Sequence, residues 1–303
     1  MNKPRVLVFL STYNGEKYLP EQIDSIFNQK DVDVFLMATD DCSSDSTHEL
    51  LQKYKKEHAN FDYRINEVNK RFTYNFLDLF FDCKDRDYDY YAFADQDDVW
   101  LENKLVEAIK KIKEKKSSKG VLYCSRLTTV DENLKEIEIQ NQDFKYDESR
   151  YSPLSTNIAT GCTVVMDRTF FKKATEYYPK DIYLHDYWFY LIANYVCDFV
   201  YDTNSYILYR QHGDNQIGFK KPNGFKAKLK NFFKKGNSYI PHLCYELREG
   251  YKNDISEEDL KYISLMADYK KKFGCRLKLV FSRKVRRKRS NFFFKLKILF
   301  GKF

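Results

Sequence analysis

The sequence predicts an α/β protein built on a mostly parallel sheet, and three observations support that fold class. Short apolar runs alternate with amphipathic helical stretches from Arg5 to about Ser125, the order expected when strands and crossover helices follow one another. Three of the apolar runs end in polar clusters, which parallel strands bring to one edge of the sheet. The chain has 303 residues, of which 43% are hydrophobic, so a large core can be buried.

The first half of the chain alternates between the two periodicities. The predicted strands are Arg5–Leu10, Val32–Ala38, Phe61–Ile65, Tyr90–Ala94 and Val121–Cys124. Helical spacing of apolar residues predicts the intervening helices at Leu19–Phe27, Ser46–Glu57, Phe72–Phe81 and Glu102–Lys116. In the last of these, the lysines are expected away from the apolar face. Regular alternation of this kind indicates parallel strands covered by helices.

Beyond Ser125 the alternation loosens. Leu127–Gln142 resembles a polar hairpin or an edge excursion, and Thr163–Met166 resembles a short strand. Tyr187–Val196 is predicted to be an apolar helix, and Phe199–Arg210 to form two strands around Thr203-Asn204. We expect one domain over residues 1–218 and a helical, basic and aromatic region over residues 219–303.

Cysteine usage and motif absences exclude several classes of protein. The seven cysteines are odd in number and contain no C-x-x-C pair, which argues against a disulfide framework or a zinc knuckle and indicates a reducing compartment. The first residues lack the apolar stretch of a signal peptide, and no stretch is long and apolar enough to predict a transmembrane helix. Neither a G-x-G-x-x-G nor a Walker motif occurs, which disfavours dinucleotide oxidoreductases and P-loop NTPases.

The most distinctive stretch is the acidic cluster that follows the fourth predicted strand. Asp95, Asp97 and Asp98 place three carboxylates within four residues at the end of an apolar run, where open α/β sheets bind ligands. Carboxylates this close repel one another unless a cation or protons compensate. Mg²⁺ and Mn²⁺ are bound by such oxygens together with substrate phosphates. The alternative is that these acids cap the helix that starts near Glu102 and are otherwise solvated.

Polar clusters also follow the first two strands, at Ser11–Asn14 and Asp40–Asp45, so that three strand ends can converge on one ligand. Together with later motifs, these segments resemble family-two glycosyltransferases of GT-A fold, and above all bacterial rhamnosyltransferases of polysaccharide assembly. The resemblance runs from about Arg5 to Gly218. One departure is Arg71, where many relatives have Gly in an Asn-x-Gly-Phe turn. The motifs that carry the resemblance are Ser11-Thr12-Tyr13-Asn14-Gly15, Asp40-Asp41-x-Ser43-x-Asp45-x-Thr47, Asp95-Gln96-Asp97-Asp98-Val99-Trp100, Thr160-Gly161-Cys162, His185-Asp186-Tyr187-Trp188 and Tyr209-Arg210-Gln211-His212-Gly213-Asp214-Asn215-Gln216.

The resemblance implies an inverting, metal-dependent transferase that moves rhamnose from dTDP-rhamnose to a lipid-linked or growing cell-surface polysaccharide. Asp41 is expected to accept the base N3–H that thymine and uracil carry and cytosine lacks, so a UDP-hexose such as UDP-galactose or UDP-glucose is the alternative donor. Asp97 is expected to ligate Mn²⁺ or Mg²⁺, with Asp95 holding the ribose or assisting the metal and His212 as a second metal ligand. The other donor-site residues are predicted to be Ser11, Thr12, Tyr13, Asn14, Arg71, Gln96, Gly161, Cys162, Arg210 and Gln211.

By the same resemblance, Asp186 is the general base that removes a proton from the acceptor hydroxyl. Asp41 and Asp186 each have an alternative role as a helix-capping residue. Trp100 and Trp188 are candidates for the core or for stacking on sugars. A catalytically inactive nucleotide-sugar binding module is a second function class, and the presence of both Asp97 and Asp186 argues against it.

The last 35 residues concentrate the positive charge. After Asp268 the chain has 14 Lys and Arg residues and no acid, so the net charge of +8 leaves about −6 for the first 268 residues. In this basic tail, helical spacing predicts an apolar face formed by Phe292, Leu296, Leu299, Phe300 and Phe303. Phe219–Lys235 is a second candidate element of this kind.

A basic amphipathic helix is typical of peripheral membrane binding. We therefore expect a cytoplasmic enzyme at the inner face of the membrane, close to a lipid-linked acceptor. Packing of the aromatic residues on the body, or a homodimer, is the alternative. A nucleic-acid partner is disfavoured because the tail lacks an RNA-recognition motif and the rest of the chain is acidic.

Overall fold

The structure, a computed structural model, describes residues 2–137, 149–212, 239–287 and 291–303. The chain divides into two compact units. The first unit comprises Met1–Phe144, Ala159–Glu176 and Cys197–Gln216, and the second comprises Lys145–Ile158, Tyr177–Val196 and Ile217–Phe303. A single boundary at residue 218 does not describe this division, because two earlier segments belong to the second unit.

The first unit contains an eight-stranded sheet in the order β3-β2-β1-β4-β7-β6-β8-β5. The pairs among β3, β2, β1 and β4 are parallel, as is the β6–β8 pair. β7 runs antiparallel to both β4 and β6, and β5 runs antiparallel to β8. The predicted α/β class with a mostly parallel sheet is confirmed. The strands are β1 Arg5–Thr12, β2 Asp33–Asp40, β3 Phe61–Ile65, β4 Tyr90–Ala94, β5 Val99–Trp100, β6 Val121–Val130, β7 Val165–Asp167 and β8 Asp198–Arg210.

Helices cover the sheet in the first unit and form most of the described part of the second. In the first unit they are α1 Leu19–Phe27, α2 Thr47–Glu57, α3 Arg71–Asp82, α4 Lys104–Lys115 and α5 Arg168–Ala174. In the second unit they are α6 His185–Tyr195, α7 Ile240–Tyr251, α8 Glu257–Asp268, α9 Phe273–Phe281 and α10 Asn291–Leu299. Among the described residues, no helix has both the length and the apolar character needed to cross a membrane.

Both faces of the sheet are apolar because both are covered. Alternate residues of β1, such as Val8 and Leu10, join one core with residues of α1, α2 and α4. On the opposite face, Phe9 packs in an aromatic cluster in which Tyr91 of β4 stacks on Phe171 of α5 with a centroid separation of 3.7 Å. A strand buried on both faces reads as a continuous apolar run. Much of the aromatic content of the chain therefore stabilises this core.

The prediction of two strands around Thr203-Asn204 was wrong. β8 is one strand, and its register against β6 shifts between Ser125–Asp202 and Arg126–Ser205 pairs. The two intervening residues are accommodated as a β-bulge, which inserts residues without ending the ladder. The sequence shows polar residues at this position, and a bulge and a turn share that composition.

The region after β6 only partly matches its prediction. β6 itself continues to Val130, where an isolated antiparallel bridge to Glu136 marks a short excursion. The rest of the predicted hairpin, residues 138–142, lies outside the described residues. The predicted amphipathic element Phe219–Lys235 lies outside them as well.

Candidate functional site

Gln96 ties the end of β4 to the turn that follows β1. Its Oε1 accepts hydrogen bonds from Thr12 Oγ1 at 2.7 Å and from the Tyr13 N–H at 2.8 Å, and its Nε2 donates to the Tyr13 carbonyl at 3.1 Å. Because the amide of Gln96 is used in this way, we expect it to position the turn. The Tyr13 ring is 45% exposed, so it can stack on a flat ligand.

The same turn is joined to the loop after β2. The Asn14 N–H donates to Ser43 Oγ at 2.8 Å, and Asn14 Oδ1 accepts from the Ser44 N–H at 2.9 Å. The next residue, Gly15, donates its N–H to Thr47 Oγ1 at 2.8 Å. A Cβ on Gly15 would lie 2.5 Å from Thr12 Oγ1 and 2.6 Å from Gln96 Oε1, so a side chain here would disturb the contact between Thr12 and Gln96.

Asp41 lies at the base of this region and is 3% exposed. Its Oδ1 accepts from Asn66 Nδ2 at 2.9 Å and from the Lys70 N–H at 2.8 Å. Within the described residues, both hydrogen bonds to this carboxylate fall on Oδ1. The second oxygen, Oδ2, can therefore accept one more N–H from a ligand.

An asparagine network that the sequence analysis missed holds Asp41 in place. Asn75 Oδ1 accepts from Asn66 Nδ2 at 2.7 Å and from Thr39 Oγ1 at 2.8 Å, while its Nδ2 donates to Ser11 Oγ at 2.8 Å. Asn75 is fully buried in α3, which reads from the sequence as an apolar helix. A polar residue inside an apolar helical face was the signal that could have identified it.

Arg71 begins α3 with φ of +65°, the left-handed conformation that favours glycine. The backbone thus keeps the geometry of a glycine turn although arginine occupies the position. Its neighbour Lys70 donates its N–H to Asp41 from this turn. The Arg71 side chain is exposed, and its own N–H donates to Asn69 Oδ1 at 3.0 Å.

In the acidic loop Asp95–Asp98, the carboxylate of Asp97 meets His212 directly. Asp97 Oδ2 and His212 Nε2 are 2.7 Å apart, and the two side chains are 14% and 13% exposed. The structure therefore brings together the two residues predicted as metal ligands.

Arg210 contacts the main chain of the acidic loop next to this pair. Its Nε donates to the Asp97 carbonyl at 2.9 Å, its Nη1 donates to the Glu132 carbonyl at 2.5 Å, and its Nη2 pairs with Glu21. The side chain of Arg210 is 3% exposed. We therefore expect it to position Asp97 and His212, whereas the sequence analysis had assigned it a direct contact with the donor.

Two other carboxylates of the same loop form a second group with a buried cysteine. Ligand atoms of Asp95, Asp98 and Cys162 lie within 4.8 Å of one another. Burial, reinforced by the neighbouring Asp97 and Asp95 carboxylates, raises the pKa of Asp98 well above its usual range. Burial also raises the pKa of the Cys162 thiol, which is completely inaccessible.

Lys104 completes this buried layer, although its helix was predicted to carry its lysines outward. Its Nζ lies 3.5 Å from the centroid of the Trp100 ring, and the residue is 1% exposed. Burial lowers the pKa of Lys104 to about 7. Trp100 belongs to the core, as does Trp188.

The donor set of Asp97 and His212 fits a divalent cation better than the buried group does. A carboxylate oxygen and an imidazole nitrogen already converge there; the carboxylate suits Mn²⁺, and imidazole suits it less well than carboxylate but better than a thiol. The thiol of Cys162 is a soft ligand that hard cations avoid, and metal ligands must be deprotonated. Asp95 belongs to the second group but is itself partly exposed.

The remaining donor-site candidates lie near the same strand ends or in the buried layer. Gly161 and Cys162 form a buried 3₁₀ turn, Gly161–Thr163, so Cys162 does not present its thiol at a surface. The Gln211 N–H donates to the Val130 carbonyl at 2.8 Å. Of the last predicted motif, residues 213–216 lie outside the described residues.

Asp186, the predicted general base, lies in the first turn of α6 in the second unit. Its Oδ1 accepts from the Tyr187 N–H at 2.6 Å, and its side chain is partly exposed. The preceding residue, His185, is completely buried. Burial lowers the pKa of His185 to about 3, so the imidazole is neutral at pH 7 and adds no positive charge beside Asp186.

Replacing His185 by glutamine is expected to reduce the acid sensitivity of the fold. The unfolded chain binds a proton at this histidine below about pH 6.5, whereas the folded chain, with its pKa near 3, does not. Stability is therefore lost as the pH falls from about 6.5, by about 2 kcal/mol between pH 7 and pH 5. Urea unfolding at both pH values should show a smaller loss for His185→Gln. An equal loss in both proteins would contradict a buried neutral imidazole.

Comparison with known proteins agrees with this geometry. Residues 7–175 match the model of the family described as glycosyl transferase family 2. Over 238 residues, the chain is 33% identical to a protein named dTDP-rhamnosyl transferase RfbG from Shigella flexneri. The match spans 73% of this chain and 77% of that protein.

Solved structures share the fold at low sequence identity. S. aureus TarS 1–349 in complex with UDP-GlcNAc superposes with a TM-score of 0.54 at 15% identity, covering 99% of this chain and 93% of that one. The mannosyltransferase PcManGT from Pyrobaculum calidifontis, in complex with GDP-Man and Mn²⁺, gives a TM-score of 0.55 at 15% identity, covering 88% and 70%. These likenesses confirm the GT-A type of fold. The sheet, the strand-end clusters and the family match together establish that this chain belongs to glycosyl transferase family 2.

Proposed function

We propose that this glycosyltransferase moves rhamnose from dTDP-rhamnose to a lipid-linked or growing cell-surface polysaccharide, with inversion at the anomeric carbon. The observation that carries the choice of donor is the 33% identity to a dTDP-rhamnosyl transferase over 73% of the chain. A UDP-hexose is the second candidate donor, since S. aureus TarS of the same fold was solved with UDP-GlcNAc.

The geometry at Asp41 supports a thymine or uracil nucleotide. Oδ1 of this carboxylate is occupied by Asn66 and by the Lys70 N–H, so Oδ2 is the atom that would accept the N3–H of the base. Cytosine presents an unprotonated N3 there, and two acceptors would face each other. The exposed Tyr13 ring stands at the neighbouring strand end and would stack on the base.

Asp97 and His212 would hold the divalent cation, with Asp95 beside them. Arg210 fixes their geometry by binding the Asp97 carbonyl and pairing with Glu21. A bound cation would neutralise the negative charge that develops on the departing nucleoside diphosphate. Because Arg210 is buried beneath the loop, its role is to hold the ligands in place before the donor arrives.

Asp186 would act as the general base. Its carboxylate would take the proton of an acceptor hydroxyl as that oxygen bonds to the anomeric carbon and the bond to the diphosphate breaks. The Tyr187 N–H that donates to Oδ1 would orient the carboxylate toward the acceptor hydroxyl. A single displacement with one base and no positioned nucleophile inverts the anomeric centre.

Nucleotide binding tests the proposal at the Asp41 end of the site. In calorimetric titrations with Mn²⁺ present, dTDP and UDP are expected to bind at least about tenfold more tightly than CDP. This factor corresponds to one lost hydrogen bond to a buried carboxylate. Equal affinity for CDP would contradict base recognition by Asp41. Comparable turnover of UDP-hexose and dTDP-rhamnose would shift the donor assignment to the alternative.

Arg71 offers a separate test of the donor site, because its backbone and side chain can be changed independently. Arg71→Gly should melt at a higher temperature than Arg71→Ala, because only glycine adopts the positive φ without strain. The expected difference in the free energy of unfolding is about 1 kcal/mol. Both variants should lose donor affinity by a similar factor if the exposed guanidinium reaches the diphosphate. Unchanged affinity in both variants would remove Arg71 from the donor site.

A further inference from the structure

We propose that α9 and α10 form a docking surface for an anionic lipid bilayer. On α9, Phe273, Leu277 and Phe281 recur every four residues and are 59%, 37% and 81% exposed. Phe292 of α10 is 70% exposed, and Phe300, which directly follows α10, is 58% exposed. Each helix thus carries a stripe of large apolar side chains that faces away from the body of the second unit.

The inward faces of these two helices are packed, so the stripes cannot turn inward. Leu279 of α9 and Phe294 and Ile298 of α10 are buried. Phe303 is buried too, with its ring 4.8 Å from that of Phe294. Phe303 was predicted to share an apolar face with Phe292. It is instead buried, as are Phe294 and Ile298, so this part of the prediction was wrong.

A partly buried lysine joins α10 to the end of α9. Lys295 Nζ donates to the carbonyls of Leu279, Ser282 and Val285 at 2.5, 2.8 and 2.6 Å. These include carbonyls at the C-terminal end of α9, which need partners outside the helix. Arg276 likewise donates to the carbonyls of Tyr269 and Lys270. Lys295 thus joins the two helices, and Arg276 joins α9 to the segment that precedes it.

Other tail cations remain at the surface and give the stripes their charge. Lys271, Lys278, Arg283 and Arg286 are exposed and form no ion pair within the described ranges. No acidic residue follows Asp268 in the sequence. Exposed phenylalanines flanked by cations match a bilayer interface with anionic headgroups, where the rings enter the acyl boundary and the cations meet phosphate.

The charge also argues against pairing of this surface with the same surface of a second copy. Two such faces would bring like charges together without acidic partners in either tail, which destabilises an interface. An anionic bilayer supplies the opposite charge. At nine residues each, α9 and α10 are far shorter than the roughly 20 residues that a spanning helix needs, so they would lie in the plane of the interface.

The test uses the full-length protein and sedimentation with vesicles. The intact chain should sediment with phosphatidylcholine vesicles that contain about a third phosphatidylglycerol at low salt, and high salt should weaken the binding. The double variant Phe281→Ser with Phe292→Ser should bind at least about 30-fold more weakly, since two exposed rings lose their apolar contact. Its melting temperature should change little because both side chains are mostly exposed, Phe281 by 81% and Phe292 by 70%.

A matched control removes two exposed aromatic residues elsewhere in the second unit. Tyr183 and Tyr245 are 62% and 45% exposed, and Tyr183→Ser with Tyr245→Ser should bind vesicles as the wild type does. Equal loss in the control and the stripe variant would overturn the assignment to α9 and α10. Failure of the intact protein to bind anionic vesicles at low salt would also overturn it. Sedimentation velocity gives a further test. A dimer of the intact protein that dissociates in the stripe variant but not in the control would overturn the assignment, because the stripes would then be a protein interface.

Discussion

Asp97→Ala is expected to lower the rate of sugar transfer by at least about 1,000-fold, the largest effect of any single substitution in the site. The substitution removes the carboxylate that meets His212 at 2.7 Å and that would hold the cation. Losing a principal ligand beside a diphosphate costs several kcal/mol of transition-state stabilisation, and about 4 kcal/mol corresponds to this factor. Initial rates across a Mn²⁺ titration measure it.

The structural part of the Asp97 effect can be separated from the chemical part. The main-chain carbonyl of Asp97, which Arg210 binds, is retained in the alanine variant, so the loop should keep its position. The control Asp33→Ala removes an exposed acid at the start of β2 and should leave the rate unchanged. Near-normal turnover of Asp97→Ala, with unchanged dependence on Mn²⁺, would show that the cation is held elsewhere.

Asp186→Asn is expected to retain donor binding and to lose transfer by about 100-fold or more. Asparagine is nearly the same size and can still accept the Tyr187 N–H through its oxygen, so α6 should begin as before. It cannot take a proton from the acceptor hydroxyl, and loss of a general base typically costs at least this factor. Calorimetry with the donor nucleotide and a transfer assay measure the two properties separately.

Asp181→Asn is the matched control for Asp186. Asp181 is an exposed acid four residues before α6 that contacts His242, and its amide variant should transfer sugar at the normal rate. Transfer by Asp186→Asn at more than about a tenth of the normal rate would require a different base. A loss of donor affinity in the same variant would indicate that Asp186 shapes the donor site.

The strand ends that carry the chemistry could be predicted because they follow from local pattern alone. Tyr90–Ala94 is apolar throughout, and its four-residue acidic continuation leaves no other place for the strand to end. The convergence of Ser11, Asp41 and Asp97 follows from parallel strands sharing one carboxyl edge. The family motifs then assign separate roles to residues that the periodicity only places together.

The partners of these residues could not be predicted, since they depend on contacts between distant segments. The sequence shows Asn75 as a polar residue on an apolar helical face, but it does not show that this side chain links Ser11 to Asn66. Lys104 follows the charged pattern of its helix, and only the tertiary structure shows that it is buried beside Trp100. Arg210 was assigned to the donor because arginine favours phosphate, whereas its backbone position directs it beneath the acidic loop.

The same limit explains the error in the tail. Phe292 and Phe303 can share a face on an idealised helix, but α10 ends at Leu299 and the chain then turns through Gly301, which has a positive φ of 65°. The turn places the Phe303 ring against the Phe294 ring, and both are buried. Phe292 remains exposed on the other side of α10. Periodicity describes a helix only as far as the helix continues.

The central claim, transfer of a sugar from a thymine or uracil nucleotide with inversion, is tested most directly by product NMR. Purified protein with Mn²⁺ is incubated with dTDP-β-rhamnose, and in parallel with UDP-hexoses, and a glycan acceptor. We predict fastest release of the nucleoside diphosphate from dTDP-rhamnose and an α-rhamnoside as the product. A product that retains the β configuration, or no donor consumption in the presence of metal and acceptor, would contradict the account.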